Sequence, residues 1–399
     1  MFPKQNMHMV TRWTPWILLI LFLASCQVPP DPPVVTSENL NQTEQEKPLA
    51  SPEPLPSLTP TQKENLLPQQ TDIPTPTPSS TATFTPTDTS PPTTTLLFTG
   101  VIVPARCVQA AIDEAEDSDY LYDEVREMIN QADLAVGTLN ATISDYPPRT
   151  GCVPTYILVG GSENADALAR AGFDLMSVAT NHIKNCGLSN CGDQAFFDTL
   201  ENLNRVGIIP VGAGQDLQEA MEPVVIEKNG VRFGFVSLGQ LEPNVFAADD
   251  TPGIAVLDEE NLRAAIDAAK QVSDVVIVLP HWGPEDVPNP NWSQRDLARI
   301  AVDAGADLVV GNHTHVVQAI ETVGEVNVFY GLGNFVFDQN WARDHQQGVI
   351  LLVIFQGTEL VDYQLIPTHV DFDGRVQIAD PGEAEEILQR IQEASRSLP

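Results

Sequence analysis

Positive charge is scarce in this chain. Its 399 residues carry 20 Lys and Arg against 54 Asp and Glu, a formal net charge of −34. That balance excludes a general nucleic-acid binder, because the phosphate backbone would be repelled. It also argues against a protein that rests flat on an anionic membrane. Long hydrophobic runs are scarce too. The longest, Trp16 to Ala24, is too short to cross a bilayer comfortably. No internal repeat is found. Cysteine is sparse at 5 residues and histidine at 7, so the placing of each is informative.

The short apolar run has a purpose despite its length. Lys4 and Arg12 precede it as a weakly basic segment, and it ends in Leu23-Ala24-Ser25-Cys26. This matches the lipobox of bacterial lipoproteins, in which the Cys thiol is lipidated and becomes the new N-terminus. Residues 1–26 are therefore expected to be a lipoprotein signal with lipidation at Cys26. That places the protein in the cell envelope, outside the cytoplasm and held to the membrane by its lipid. A plain signal peptide or an uncleaved anchor is the alternative.

The other four cysteines, Cys107, Cys152, Cys186 and Cys191, are an even number in an exported chain, which makes disulfides the default. Cys186 with Cys191 closes a small loop, and Cys107 with Cys152 then closes a larger one. A zinc site built from the four is the rival, although their spacing is not that of a zinc ribbon.

Residues 27–95 are rich in Pro, Thr and Ser, as in Thr75-Pro76-Thr77-Pro78. Such a composition buries no core and favours extended polyproline II, so the segment reads as a disordered tether. At Leu96 the pattern changes. Apolar runs of strand length alternate with helical patterns to about residue 370, and residues 371–399 form a tail with an amphipathic helix. Asn229-Gly230 between two apolar runs signals a hairpin. The expected fold is α/β, with hairpins making the sheets mixed rather than purely parallel.

Chemistry collects just after the apolar runs. Asn181-His182 follows Leu175 to Ala179. His281-Trp282-Gly283-Pro284-Glu285 follows Val275 to Leu279. His313-Thr314-His315 follows Leu308 to Val310, and Gly331-Leu332-Gly333-Asn334 follows Val328 to Tyr330. Ligands of α/β sheets bind beyond the carboxyl ends of strands. Four of the seven histidines fall in these turns. Imidazole is a ligand for zinc, iron and related ions, and Asn181 could add a carbonyl oxygen. Trp282 is a candidate for stacking on a substrate, with core packing the commoner role for such a residue. His345 and His369 read as ordinary surface or loop residues.

The ordered set Asn181-His182, His281-Trp282-Gly283, Gly311-x-His313-x-His315 and Leu332-Gly333-Asn334-Phe335 resembles the CapA-type capsule synthesis family. That family is linked to poly-γ-glutamate production and related to calcineurin-like metallophosphatases. The resemblance implies a four-layer α/β/β/α sandwich over residues 96–370. It implies a divalent metal ion (zinc, iron or manganese) on Asn181, His281, His313 and His315, with His182 moving a proton. Trp282, Glu285 and Asn334 are the candidate substrate contacts. The implied substrate is an anionic exopolymer or a phosphoester. Where the family usually has an Asp after the first strand this chain has Val101, and Asn140 stands for a Glu. Asn185 likewise takes a place that is often acidic. The expectation is at most one tightly bound ion, and weak or absent hydrolysis.

Overall fold

The computed structural model describes residues 91–186 and 191–398. The expected signal, Cys26 and nearly all of the expected tether lie outside the described residues. The strand Thr93–Ile102 begins three residues before the change in composition at Leu96. Its first residues pair antiparallel with Gln347–Gln356, and this pairing recruits polar threonines that carry no apolar signal.

That strand is central in an eight-stranded sheet. On one side lie Leu134–Leu139, Leu175–Ser177 and Ile209–Val211, all parallel to their neighbours. On the other side Gln347–Gln356 and Glu359–Val370 form a long antiparallel pair, continued by Val376–Ile378. Asn334–Val336 pairs parallel with its C-terminal end. A second sheet has six strands, in the order Ile320–Val323, Val326–Phe329, Leu308–Val310, Val275–His281, Val231–Gly239 and Val224–Lys228. The last two are the expected hairpin. Asn229 at φ 52° and Gly230 at φ 81° form its turn, with both central residues at positive φ as a primed turn requires.

Side-chain alternation along the strands sets the layers. In the first sheet Leu96 and Phe98 face the second sheet, whereas Leu97 faces outward. In the second, Val275, Ile277 and Leu279 face inward, while Val276 and Val278 face outward. Three apolar layers result. One lies between the sheets. One joins the first sheet to the helices Cys107–Ala115, Glu163–Ala171 and Gln194–Arg205 through Val108, Leu168 and Phe196. One joins the second sheet to Glu259–Val272 and Trp292–Ala304 through Leu262, Ile266 and Leu297. This is the four-layer α/β/β/α sandwich with mixed sheets. The terminal helix Pro381–Arg396 is amphipathic as expected, and its Ile387 and Ile391 enter the layer between the sheets.

The structure departs from local expectation at two points. The sequence of Tyr120 to Gln131 has a helical pattern, but it is broken into a short 3-10 turn, Asp119–Tyr122, and a helix, Arg126–Gln131. Tyr120, Leu121, Tyr122 and Val125 are all buried, more of the circumference than one face of a continuous helix could cover. Ser162 precedes Glu163–Ala171 but makes no side-chain cap, because its hydroxyl donates to Asp145 Oδ2 at 2.5 Å.

Both expected disulfides, Cys107–Cys152 and Cys186–Cys191, are present. The first sits beside the turn that carries Arg106. The second closes the loop after His182.

Candidate metal centre

Strand ends from both sheets meet at one edge of the sandwich. Asn181 and His182 come just beyond Leu175–Ser177 of the first sheet, and His281 is the last residue of Val275–His281 in the second. His313 and His315 follow Leu308–Val310. A parallel bridge between His281 and Asn312 brings the two turns of the second sheet side by side. Asn312 also ties the sheets together. Its Nδ2 donates to Thr99 O at 3.2 Å and to Thr138 Oγ1 at 2.8 Å.

His313 and His315 have φ of 110° and 59°. Non-glycine residues rarely adopt positive φ, and holding one there costs on the order of 1–3 kcal/mol. The surroundings must impose the geometry, and both rings are buried and bonded. Gly311 makes the turn possible, since a Cβ there would lie 2.3 Å from Trp282 Nε1.

His281 Nε2 lies 3.0 Å from Asn181 Oδ1 and 3.1 Å from His313 Nδ1. Its other nitrogen is buried without a hydrogen-bond partner. One ring nitrogen holds either a proton or a lone pair, so it cannot make two linear hydrogen bonds to acceptors on different sides. A cation among Asn181 Oδ1, His281 Nε2 and His313 Nδ1 would satisfy all three donor atoms. The cluster therefore fits a metal ion.

His315 is held differently. The Nδ2 group of Asn334 donates to Gln339 Oε1 at 3.0 Å and to His345 O at 2.8 Å, so its oxygen faces His315 Nδ1 at 2.8 Å. His315 then donates from Nδ1 and keeps a lone pair on Nε2. Glu285 Oε1 stands 3.9 Å from that Nε2 and 3.9 Å from His313 Nε2.

Electrostatics favour neutral rings. Burial holds His281 and His313 well below the usual imidazole range, and neighbouring histidines add to the effect. Burial pulls His315 down to about 4, opposed by its bond to Asn334. His182 is lowered by burial, against its 3.0 Å bond from Nδ1 to Asn185 Oδ1. Burial raises the Glu285 carboxyl, and Asp286 adds to that. Uncharged imidazoles offer the lone pairs that a cation needs.

The cluster opens into a cleft of about 450 Å³ whose walls include Arg106, Tyr156, His182, Glu285, His315 and Trp341. Trp282 is not brought to this cleft. It is 1% exposed, stacked on Tyr330 at 5.7 Å, and its Nε1 donates to Tyr330 O at 2.9 Å. It follows His281 in an extended segment and therefore points to the opposite face, toward the helices. Asn334 stands behind His315 rather than in the cleft. Val101 is fully buried in the apolar layer between the first sheet and its helices. Asn140 accepts from His182 N at 3.1 Å through Oδ1, while its Nδ2 is buried without a partner.

Sequence reasoning missed several neighbours. His345 is no surface residue: it is buried, with Nε2 2.6 Å from Asp286 Oδ1, and its carbonyl supports Asn334. Arg106 is buried in an ion pair with Asp338 and donates to Thr155 O at 2.8 Å. Asp286 directly follows Glu285 in a motif already singled out, and that adjacency was the available signal. Nothing near Arg106 or His345 in sequence marks them.

The family model described as bacterial capsule synthesis protein PGA_cap matches residues 95–339, more than half of the chain. The PGA biosynthesis protein CapA of Bacillus subtilis is 32% identical over 255 residues, which cover 63% of this chain and 66% of that protein. The capsule biosynthesis protein CapA of Bacillus anthracis is 28% identical over 285 residues, 69% of this chain and 67% of the other. The chain thus spans about two thirds of the length of these relatives. Among solved structures, a novel phosphatase from Mycoplasma pneumoniae aligns with a TM-score of 0.44 at 14% identity, over 69% of this chain and 94% of that one. A 5′-nucleotidase precursor from Thermus thermophilus aligns at 0.40 and 16%, over 76% and 57%.

Proposed function

The chain belongs to the PGA_cap family of bacterial capsule synthesis proteins, and from that premise we propose that it serves the synthesis or export of a capsule-type exopolymer at the cell envelope. The polymer is poly-γ-glutamate-like, and the protein acts on it, or on a phosphoester linked to it, by metal-assisted hydrolysis or transfer. The observation that carries this reading is the buried cluster of neutral imidazoles and one amide beside a cleft of about 450 Å³. A lipid on Cys26 and the tether after it would hold the domain outside the cytoplasm and off the membrane.

Asn181, His281 and His313 would hold a divalent ion, with His315 beside them. Neutral nitrogen donors suit a zinc-like or iron-like ion better than magnesium, which prefers oxygen. Such an ion, when bound, polarises a carbonyl or phosphoryl oxygen and lowers the pKa of bound water. The chain's own groups do the rest. His182 is held by Asn185 and by the bond from its backbone nitrogen to Asn140, with its ring at the cleft wall. It is uncharged at neutral pH, so it accepts a proton first and returns it afterwards. Asn334 fixes the ring of His315.

Val101 and Asn140 support a second reading, a polymer-binding lipoprotein with little or no turnover. Neither supplies the anionic charge that a two-ion centre needs. Purified protein should be assayed for bound metal, for phosphodiester turnover with added manganese, and for binding and cleavage of poly-γ-glutamate. Metal with turnover of either substrate supports the enzyme. Polymer binding without turnover supports the second reading. A chain that takes up no divalent ion and binds no polymer would overturn both.

A further inference from the structure

We propose that Glu285 is a metal ligand: with Nε2 of His313 and Nε2 of His315 it forms a site of two imidazoles and one carboxylate for a divalent ion of the zinc class. The proposal rests on the reading that the histidine cluster holds a metal. It places the ion on the Nε2 side of His313, where an anionic donor stands, rather than on the side of Asn181 and His281.

The geometry points to one centre. Glu285 Oε1 is 3.9 Å from each of the two Nε2 atoms. The three ligand atoms all lie within 4.8 Å of one another, and they form the one such group of His, Cys, Asp or Glu among the described residues. Zinc bonds of about 2.0–2.2 Å place neighbouring ligand atoms roughly 3–3.5 Å apart. The gap to close is thus under about 1 Å for the carboxylate. A hydrogen bond at Nδ1 orients each ring, His315 on Asn334 and His313 on His281, and the two Nε2 atoms, within 4.8 Å of each other, must also draw together by about 1 Å to share one ion. The Glu285 side chain is 46% exposed and has room to swing in.

His313 makes the assignment testable. Its Nδ1 faces His281 and its Nε2 faces Glu285. A neutral imidazole has one lone pair, so His313 serves one side of the cluster at a time. Among the candidate ligands Glu285 alone carries negative charge. With Val101 and Asn140 in the usual carboxylate places, that charge draws the ion to the Nε2 side. Two histidines and a glutamate with an open face is one of the ligand sets of catalytic zinc sites. Here the open face looks into the cleft. Glu285 is then a ligand, not the substrate contact that the sequence suggested.

The test is an equilibrium titration of the full chain with Zn²⁺ against a chelator of known affinity. Bound metal is counted, and the absorption bands of Co²⁺ put in place of zinc are recorded. Glu285→Gln is expected to weaken Zn²⁺ binding at least tenfold and to shift the Co²⁺ bands. Glu242, whose charge acts on both His182 and Glu285, is the control: Glu242→Gln removes the same charge and is expected to change binding less than twofold. Equal weakening by both variants means a general field effect, and Glu285 is then no ligand. If Glu285→Gln binds zinc as tightly as the unmodified chain while His281→Ala does not, the ion sits on Asn181 and His281. The present proposal then fails and the functional reading survives. If the unmodified chain binds neither Zn²⁺ nor Co²⁺, both fail together.

Discussion

His315 Nδ1 donates to Asn334 Oδ1 at 2.8 Å, and this bond decides which nitrogen of His315 faces the cleft. Residues that orient metal-binding histidines are typically worth 10–100-fold in affinity. Asn334→Ala is therefore expected to weaken Zn²⁺ binding by about that factor. Asn334→Asp keeps the acceptor but loses the two Nδ2 bonds to Gln339 and His345, so it should retain more affinity than the alanine variant. Equal loss in the two variants would show that the oxygen does not matter.

Asn140 tests the missing charge. Its buried Nδ2 has no partner, so Asn140→Asp removes an orphaned donor and adds an anion at nearly constant shape. Without metal the buried carboxylate should destabilise the fold by more than the ~1–3 kcal/mol that a neutral unsatisfied group costs. With Zn²⁺ the thermal midpoint should rise further than that of the unmodified chain. Val101→Asp is a poorer test, because Val101 packs among apolar side chains where an unpaired charge costs far more. His313→Ala should lower metal content in either background. A midpoint insensitive to Zn²⁺ in the Asn140→Asp chain would remove Asn140 from the vicinity of the ion.

Trp282 separates core from cleft. Trp282→Ala should cost about 3–5 kcal/mol of stability in denaturant titration. Tyr156→Ala, at a residue 87% exposed, should change stability by less than about 0.5 kcal/mol. A near-neutral Trp282→Ala would contradict its burial against Tyr330.

The disulfides should differ in worth. Cys107–Cys152 spans 45 residues and Cys186–Cys191 spans 5. Loop-closure entropy then predicts losses of about 4 and about 2 kcal/mol on their removal. Paired serine substitutions followed by thermal unfolding measure both. A larger loss from the small loop would mean that it contributes through contacts near His182 rather than through chain entropy.

Two predictions concern the N-terminal region. Palmitate labelling should disappear in Cys26→Ala, and equal labelling would remove the lipid anchor. A chain beginning at Pro91 should unfold cooperatively, since Pro92 O accepts from Gly357 N at 3.1 Å and the first strand is then whole. A start at Phe98 cuts away the Leu96 contribution to the layer between the sheets, and it should fold poorly.

How far these features could be read in advance depended on the kind of signal. The histidine turns were legible because each directly follows an apolar run, and the chain order of strand and turn survives folding. The sandwich was legible through the family resemblance. The orientation of Trp282 was not. Val275–His281 is buried on both faces, so its sequence shows no alternation to say which residues face the helices. Asp286 and His345 meet across 59 positions, and that distance is invisible to local pattern. The broken helix at Asp119–Tyr122 was missed because helical spacing and a wholly buried turn look alike over four residues.

Asn312 reaches from the second sheet to Thr99 and Thr138 of the first, beside a site whose donors come from both. Neither half of the sandwich owns the centre. A fragment ending at Val211 would carry Asn181 and His182 but none of His281, His313 or His315, and the remaining piece would have the converse lack. Glu285, His313 and His315 all lie on the second fragment, so only an ion that Asn181 also holds would need both pieces. An ion that takes Asn181 as well as the histidines would cross the seam between the sheets and act as a rivet that resists their separation.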